Sequence, residues 1–286
     1  MSKSVLVTGA SGHVGGALVR ELVENGYHVR ASVRDPMDAA KTDALKKLQA
    51  EVVKADLFDH ASLDAACTGM DGVFQVAAIY DLAPSDAVQA RIMTETGTLG
   101  MANVLNAAKK AGVGRIVLTS SVVTIAPVAP GQPAASEDSW VSDTSVTYIE
   151  EKSSGEKHAW QLSGELGLDM VSVLPGAVTG PGFNRSTPSV DFIEAFAKGS
   201  LRMGAPDIGF PFVDVRDVAT AHRLAYEKGE IGQRYIAMNQ TVSLYDMGVA
   251  LSRIDPNIAK PLMKMPGFMT GMVPYIDAIM AKLSGY

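Results

Sequence analysis

The sequence predicts an α/β protein: a doubly wound parallel sheet with a small C-terminal lobe. Three observations support this fold class. Short apolar runs alternate with amphipathic segments through residue 174, a glycine-rich turn follows the first apolar run, and the alternation breaks after residue 180. Strands that alternate with helices form parallel sheets covered on both faces. Such sheets bind ligands beyond the carboxyl ends of their strands.

The apolar periodicity places each element in order. Main-sheet strands are predicted at 4–8, 27–33, 51–54, 72–76, 115–119, 169–174 and 234–237. Helices are predicted at 13–25, 38–49, 61–67, 86–111, from near 146, 189–198 and 215–227, with a short strand at 210–213 and a helical C-terminal part. We therefore expect a nucleotide-binding domain over 1–180 and 211–238, and a small substrate-binding lobe over 181–210 and 239–286.

Composition narrows the class of protein. The 286 residues are 47% hydrophobic, enough for a full core, and the net charge of -6 argues against nucleic acid as a partner. Cys67 is the only cysteine, so no internal disulfide can form. The N-terminus shows no signal-peptide pattern, and no apolar run is long enough to span a membrane. We expect a cytoplasmic protein, a monomer or homodimer, with no membrane partner.

The glycine-rich turn predicts a bound dinucleotide. Gly9, Gly12 and Gly15 stand three residues apart between the first strand and the first helix. Glycines let the backbone turn tightly and approach a bulky anion, and the helix N-terminus offers free N–H groups to a pyrophosphate. The alternative is a tight turn with no ligand. The expected cofactor contacts in this turn are Gly9, Ser11, Gly12, His13, Val14 and Gly15.

The end of the second strand predicts which dinucleotide binds. A carboxylate there favours NAD(H), but Val29 to Val33 contains none, and Arg34 and Lys41 follow. An arginine fork matches phosphate geometry and a lysine adds a point charge, so NADP(H) is favoured. Ordinary solvated surface charges are the alternative reading. Asp56 and Leu57, which end the third strand, are placed to meet the adenine.

A tyrosine and a lysine supply the predicted chemistry. Of the eight tyrosines, only Tyr148 has a lysine four residues later, Lys152, which places both on one face of a helix. Carbonyl reduction needs a proton donor, and a lysine cation beside a tyrosine, with the oxidised nicotinamide, should lower the tyrosine pKa. Ser121, at the end of the fifth strand, can hold the substrate oxygen, with Ser120 as a rival. No second ligand accompanies His13 or His158, so we expect no metal site.

Six motifs in this order resemble the extended short-chain dehydrogenase/reductase superfamily, which has a Rossmann-type sheet. Within it, the chain resembles the dihydroflavonol reductase and cinnamoyl-CoA reductase group with its microbial aldehyde and ketone reductase relatives. The motifs are Val-Thr-Gly-Ala-Ser-Gly-His-Val-Gly (7–15), Val-Arg-Ala-Ser-Val-Arg-Asp-Pro (29–36), Leu-Thr-Ser-Ser (118–121), Tyr-x-x-x-Lys (148–152), Leu-Pro-Gly-Ala-Val-Thr-Gly-Pro (174–181) and Phe-Val-Asp-Val-Arg-Asp-Val-Ala (212–219).

The resemblance implies roles for particular residues. It makes Ser121 rather than Ser120 the catalytic serine, Tyr148 the proton donor, and Lys152 its partner and a ribose ligand. It also implies that the cofactor is lined by Ala77, Ala78, Pro175, Gly176 and Val178. Two departures qualify this. An Asn-Val-x-Gly-Thr pattern is replaced by Thr94–Thr98, and the Asn-Trp-Tyr-Cys-Tyr signature is missing before Tyr148, which disfavours a CoA-thioester substrate.

The expected function is an NADP-dependent dehydrogenase/reductase that acts on CH–OH or carbonyl groups. Its small-molecule substrate is an apolar or aromatic aldehyde or ketone, because the candidate pocket residues Tyr80, Val122 and Phe183 are largely apolar. Two alternatives stand beside it. One is an NAD-dependent nucleotide-sugar epimerase or dehydratase, and the other is a non-enzymatic regulator of the same fold that senses NADP.

Overall fold

A computed structural model describes residues 3–81, 84–128, 131–183, 185, 187–206 and 208–265. Within these residues, the strands are β1 Ser4–Val7, β2 His28–Val33, β3 Glu51–Lys54, β4 Gly72–Gln75, β5 Arg115–Thr119, β6 Met170–Pro175, β7 Ala177–Thr179, β8 Ala205–Pro206, β9 Gly209–Asp214, β10 Arg234–Ala237, β11 Gln240–Ser243 and β12 Lys264–Met265. The helices are α1 His13–Glu24, α2 Ala39–Lys47, α3 His60–Cys67, α4 Ala87–Glu95, α5 Met101–Ala111, α6 Thr147–Leu166, α7 Pro188–Ala197, α8 Val215–Lys228 and α9 Leu244–Ile254.

The main sheet confirms the predicted fold class. Seven strands lie in the order β10-β6-β5-β4-β1-β2-β3, and every neighbouring pair is parallel. The order reverses beside β1, since β2 and β4 flank it. In such sheets this reversal opens a crevice at the carboxyl ends of the strands, where ligands bind.

Alternate residues of each strand enter one of two hydrophobic cores. Val5 and Val7 pack into a cluster with Leu18 of α1 and Ala219 of α8. Leu6, which points the opposite way, packs into a second cluster with residues of α3, α5 and α6. Successive side chains on a strand face opposite sides of the sheet, so one apolar run supplies both cores.

The predicted helix over 86–111 is interrupted. α4 ends at Glu95, a π-helical segment spans Thr96–Gly100, and α5 follows from Met101. α6 comes very close at this segment: a Cβ atom at Gly97 would overlap Oε1 of Glu151. A π segment widens the helix where this neighbour approaches, and such segments are frequent at functional sites.

The chain divides into two compact units, of which the second covers Ser186–Phe212 and Asn239–Tyr286. In its described part, β9 and β11 form an antiparallel pair with Phe212 opposite Gln240. The unit has its own apolar cluster around Phe196 and Met247. Residues 240–243, predicted as part of a helical C-terminus, are the strand β11, because Thr241 and Val242 are β-branched and pair with β9. Residues 266–286, also predicted to be helical, lie outside the described residues.

None of the helices in the described ranges combines the length and apolarity that crossing a bilayer requires.

Candidate active site

The glycine turn is shaped by contacts that only glycine permits. Gly9 has φ +63°, and a Cβ atom there would lie 2.8 Å from Cα of Ala77. A Cβ atom at Gly15 would overlap the carbonyl oxygen of Gly9. Gly12 is the N-cap of α1 and supplies no side-chain cap. The first turn of α1, which contains His13 and Val14, therefore faces a shallow backbone cradle of the kind that suits a phosphate.

Thr8 links the glycine turn to the end of β4, and it was not predicted as a site residue. Its Oγ1 donates to Oε1 of Gln75 at 2.6 Å and accepts from the N–H groups of Val76 at 2.9 Å and Ala77 at 3.1 Å. The carboxyl ends of β1 and β4 are thereby held together. A threonine directly before Gly9 was the available signal, but nothing in the sequence shows its partner.

The loop after β7 packs against the same turn. The ring of Phe183 stacks on the ring of His13 with centroids 5.2 Å apart, and Arg185 lies over Phe183 and donates to the carbonyl of Ser11. Burial lowers the pKa of His13, whose Nε2 has no partner among the described atoms. Phe183, predicted to line the substrate pocket, thus contacts the residue that begins α1.

The predicted selectors of NADP(H) occupy different surroundings. Arg34 is exposed directly after β2 and lines a groove of about 450 Å³ together with Ile79, Gln89 and Met93. Lys41 lies on α2, where its Nζ is 2.7 Å from Asp38 and lowers the pKa of that carboxyl. Lys41 is not among the described residues that line the groove. The structure therefore brings Arg34, and not Lys41, to this groove.

The loop after β3 is rigidly held. Asp56 accepts from the N–H of Phe58 at 2.9 Å, and its own N–H donates to Oγ of Ser62. The carbonyl of Leu57 accepts from Asn103, and its side chain packs against Gly100 of the π segment. Both predicted adenine contacts thus stand at the carboxyl end of β3.

Ser121, Tyr148 and Lys152 meet at the carboxyl end of β5. Tyr148 and Lys152 are one turn apart on α6, and all three side chains are less than a tenth exposed. The hydroxyl of Ser121 is close enough to Tyr148 to lower the pKa of its phenol. Ser121 begins a short 3-10 turn and also accepts from the N–H of Val123 at 3.4 Å. A hydroxyl pair at this position can bind and protonate a carbonyl oxygen.

Ser120 has a different task. Its Oγ donates to Oε2 of Glu156 at 2.6 Å. Glu156 in turn binds Arg234 and Ser172, so Ser120 belongs to a buried polar network. The sequence left Ser120 and Ser121 as rivals, and the geometry favours Ser121. Neither Glu156 nor Arg234 was identified from the sequence, since their pairing joins residues 78 positions apart.

The protein's own groups raise the pKa of Tyr148, whereas the lowering was expected from Lys152 together with the oxidised nicotinamide. Burial raises the pKa of Tyr148, the nearby Tyr80 and Glu151 raise it further, and the hydrogen bond from Ser121 lowers it. Lys152 is not among the causes of this shift, and its ammonium is paired with Glu151. Glu151 was not predicted, although it directly precedes Lys152.

The remaining predicted residues surround this centre. The ring of Tyr80 lies 5.3 Å from the ring of Tyr148, and Val122 is in the 3-10 turn that follows Ser121. Ala77 and Ala78 line a cavity of about 30 Å³ together with Lys152. Pro175 ends β6, Gly176 donates to the carbonyl of Ala237, and Val178 is in β7.

These features define the class of protein. A parallel sheet with a glycine turn after β1 and a Ser-Tyr-Lys group after β5 is the architecture of an extended short-chain dehydrogenase/reductase. The chain belongs to this class: the model of the NAD dependent epimerase/dehydratase family matches residues 5–239.

Similar proteins within the family carry reductase names. Cinnamoyl-CoA reductase 1 of Petunia hybrida is 35% identical over 270 residues, which cover 90% of this chain and 79% of the relative. Dihydroflavonol 4-reductase of Zea mays is 32% identical over an alignment that covers 95% of this chain and 79% of the relative. The crystal structure of gox2253 superposes with a TM-score of 0.84 at 31% identity, covering 99% of this chain and 84% of that one.

The residues present fit the dinucleotide that the family description implies. The cradle that a Cβ atom at Gly9 or Gly15 would fill, the uncapped start of α1 and the unpartnered Nε2 of His13 stand together at the switch point of the sheet. This arrangement suits an anionic pyrophosphate.

Proposed function

We propose that this chain is an NADPH-dependent reductase of apolar or aromatic aldehydes or ketones, with Tyr148 as the proton donor. The observation that carries the proposal is that Ser121, Tyr148 and Lys152 lie buried together at the carboxyl end of β5, with Nζ of Lys152 5.8 Å from the ring centre of Tyr148. The reductase names of the relatives support the same chemistry. The small molecule would be held beside Tyr80 and Val122, whose side chains adjoin this group.

The cofactor preference rests on Arg34. It follows β2 directly, is exposed to the groove and has no carboxylate within β2 to compete for a ribose. A guanidinium binds phosphate oxygens through paired donors, which favours NADP(H). The residues that would hold the dinucleotide are the glycine turn, Arg34, and Lys152 near the nicotinamide end.

The chain's own residues supply orientation and a proton. NADPH, when bound, supplies the hydride. Ser121 donates a hydrogen bond to the carbonyl oxygen and fixes its position. Tyr148 delivers its proton to that oxygen as negative charge develops there, and Lys152 places a positive charge beside the phenolate that remains. Because burial raises the pKa of Tyr148, the phenol holds its proton at neutral pH.

The mechanism is tested with a Tyr148→Phe variant. NADPH oxidation with a panel of apolar aldehydes and ketones should fall by about 10²- to 10⁴-fold, the usual effect of removing a general acid. The control is Tyr27→Phe, which removes a hydroxyl that binds Glu227 and should leave turnover intact. Undiminished turnover in Tyr148→Phe contradicts the mechanism.

The cofactor preference is tested with Arg34→Gln. Loss of the charged contact should weaken NADPH binding by about 10- to 100-fold, since hydrogen bonds to charged groups contribute about 1.5–3 kcal/mol, and leave NADH binding nearly unchanged. Arg20→Gln, on the exposed face of α1, is the control. Calorimetric titration with both dinucleotides gives the comparison.

Experiments on the same purified protein distinguish the two alternative functions, the epimerase or dehydratase and the NADP-sensing regulator. NAD that is released only on denaturation, without carbonyl turnover, would support an epimerase or dehydratase. Reversible NADPH binding with no turnover of any carbonyl would support a regulator that senses NADP.

A further inference from the structure

Glu151 is a buried carboxylate whose place the fold maintains at some cost. Its side chain is 2% exposed. Oε1 accepts a hydrogen bond from Nζ of Lys152 at 3.4 Å, while Oε2 lies 3.3 Å from the same Nζ and makes no hydrogen bond within the described residues. Replacing a buried ion pair with well-packed apolar residues of similar volume is often neutral or stabilising. The presence of this pair is therefore weak evidence that Glu151 serves stability.

The neighbouring helix makes room for this carboxylate. Gly97 lies against it, and any side chain at that position would overlap Oε1. Gly97 is within the π-helical segment, and it is the glycine of the Asn-Val-x-Gly-Thr pattern, from which the chain departs at Thr94 and Glu95. The space for the carboxylate thus lies beside a position at which the chain keeps the pattern.

The charge of Glu151 acts on Lys152 and Tyr148. Nζ of Lys152 lies 5.8 Å from the ring centre of Tyr148. A lysine cation at that distance favours the phenolate, but a carboxylate in contact with the cation offsets its field. The negative charge of Glu151 also raises the pKa of Tyr148 directly. Both effects keep the proton on Tyr148.

In the part of the chain that the structure describes, few charged groups line the cavity beside Glu151. Among the described residues that line the adjoining cavity of about 30 Å³, the charged groups are Glu151, Lys152 and Glu156, and Glu156 is paired with Arg234. Thr96 and Gly97 from the π segment, Gln75 from β4 and Ser120 after β5 carry no charge. Burial raises the pKa of Glu151 and Lys152 lowers it, so the carboxylate is ionised at the alkaline pH at which a tyrosine titrates.

We propose that Glu151 is a positioning residue of the Ser121–Tyr148–Lys152 group: its carboxylate holds the ammonium of Lys152 and offsets its charge, so that Tyr148 keeps its proton to higher pH. The inference rests on the proposed function only in naming Tyr148 as the acid. In the reductive direction the effect maintains the protonated phenol. In the oxidative direction, where Tyr148 must accept a proton, it shifts the reaction to more alkaline pH.

The test measures ionisation of Tyr148 without any substrate. Protein labelled with ¹³C at the tyrosine ζ carbon is titrated by NMR, and the Tyr148 signal is assigned from its loss in Tyr148→Phe. At the highest pH at which the circular dichroism stays native, Glu151→Gln should show about a tenfold larger phenolate-to-phenol ratio than wild type, equivalent to about one pH unit. Glu150→Gln, an exposed carboxylate one residue earlier on α6, should match wild type.

The outcomes separate the inference from the proposed function. Equal ratios in wild type and Glu151→Gln, or equal increases in Glu151→Gln and Glu150→Gln, overturn the role of Glu151. If Glu151→Gln does not fold, Glu151→Ser removes the same charge without adding volume and should show the same increase. A larger ratio in a protein that reduces no carbonyl leaves the charge effect intact and overturns the function. Where a carbonyl is reduced, alcohol oxidation by Glu151→Gln should reach its optimum about one pH unit lower.

Discussion

Arg234 and Glu156 form a two-point ion pair inside the protein: Nε lies 2.9 Å from Oε1, and Nη2 lies 3.0 Å from Oε2. The pair joins the edge strand β10 to α6, which carries Tyr148 and Lys152. Arg234 also donates to Thr124 and lies 3.7 Å from the ring centre of Trp140. The same network includes Ser120, which directly precedes Ser121 in the chain.

Replacing the cation of this pair should destabilise the whole domain. Arg234→Met leaves Glu156 buried without a counter-charge, and we expect the free energy of unfolding to fall by about 3–5 kcal/mol. Arg20→Met removes an ion pair whose side chains are about 60% exposed. This substitution should change the free energy of unfolding by less than about 1 kcal/mol. Urea denaturation of both variants gives the comparison. Equal, small losses would show that the buried pair does not stabilise the fold.

Two adjacent glycines of α1 should respond differently to alanine. In Gly15→Ala the new Cβ overlaps the carbonyl of Gly9, and we expect a loss of about 1–3 kcal/mol of stability together with weaker dinucleotide binding. In Gly16→Ala the nearest atom is 3.5 Å away, so the higher helix propensity of alanine should leave stability unchanged or slightly raised. Thermal unfolding and NADPH titration test both. Similar losses in the two variants would contradict the contact at Gly15.

Thr8 should be required for the join between β1 and β4. Thr8→Val removes the partner of Gln75 and of two backbone N–H groups, at an expected cost of about 1–3 kcal/mol. Thr8→Ser retains the hydroxyl and should recover most of this loss. Thr94→Val, on the exposed side of α4, is the control for replacing a threonine hydroxyl with a methyl group. A fully stable Thr8→Val would show that these hydrogen bonds are replaced by water.

His222 should make stability depend on pH in the acid range. It is fully buried, and burial lowers its pKa from 6.5 to about 4. Because the unfolded chain binds this proton at higher pH, stability is complete above about 6.5 and falls as the pH drops towards about 4, by about 3 kcal/mol in total. Nδ1 contacts the carbonyl of Val218, and Nε2 lies 2.8 Å from Oγ1 of Thr119.

The matched variant is His222→Gln, whose amide can make hydrogen bonds of the same kind. Between pH 7 and pH 4, the free energy of unfolding of His222→Gln should fall by about 3 kcal/mol less than that of wild type. His60→Gln, at an exposed histidine, should retain the wild-type dependence. Parallel pH profiles for wild type and His222→Gln would exclude His222 as the source.

The fold was largely predictable because its signals are local. The apolar run before Gly9 and the glycine at the end of α5 are signals that a few neighbouring residues suffice to show. Each predicted main-sheet strand is present, with ends that agree to within a residue or two. The placement of Tyr148 and Lys152 one turn apart on α6 was predictable because one short motif carries it. The pairings of Thr8 with Gln75 and of Glu156 with Arg234 were not, since they join distant residues. The pairing of Lys41 with Asp38 was not predicted either, because sequence spacing does not show which charged neighbours are in contact.

The contact between Gly97 and Glu151 favours one order of divergence at this active site. A side chain at position 97 collides with the end of the Glu151 side chain, so the carboxylate would have to move from its place beside Lys152. A smaller residue at 151 removes that obstacle. A lineage that first replaces Glu151 can therefore acquire a side chain at position 97 without displacing a buried charge.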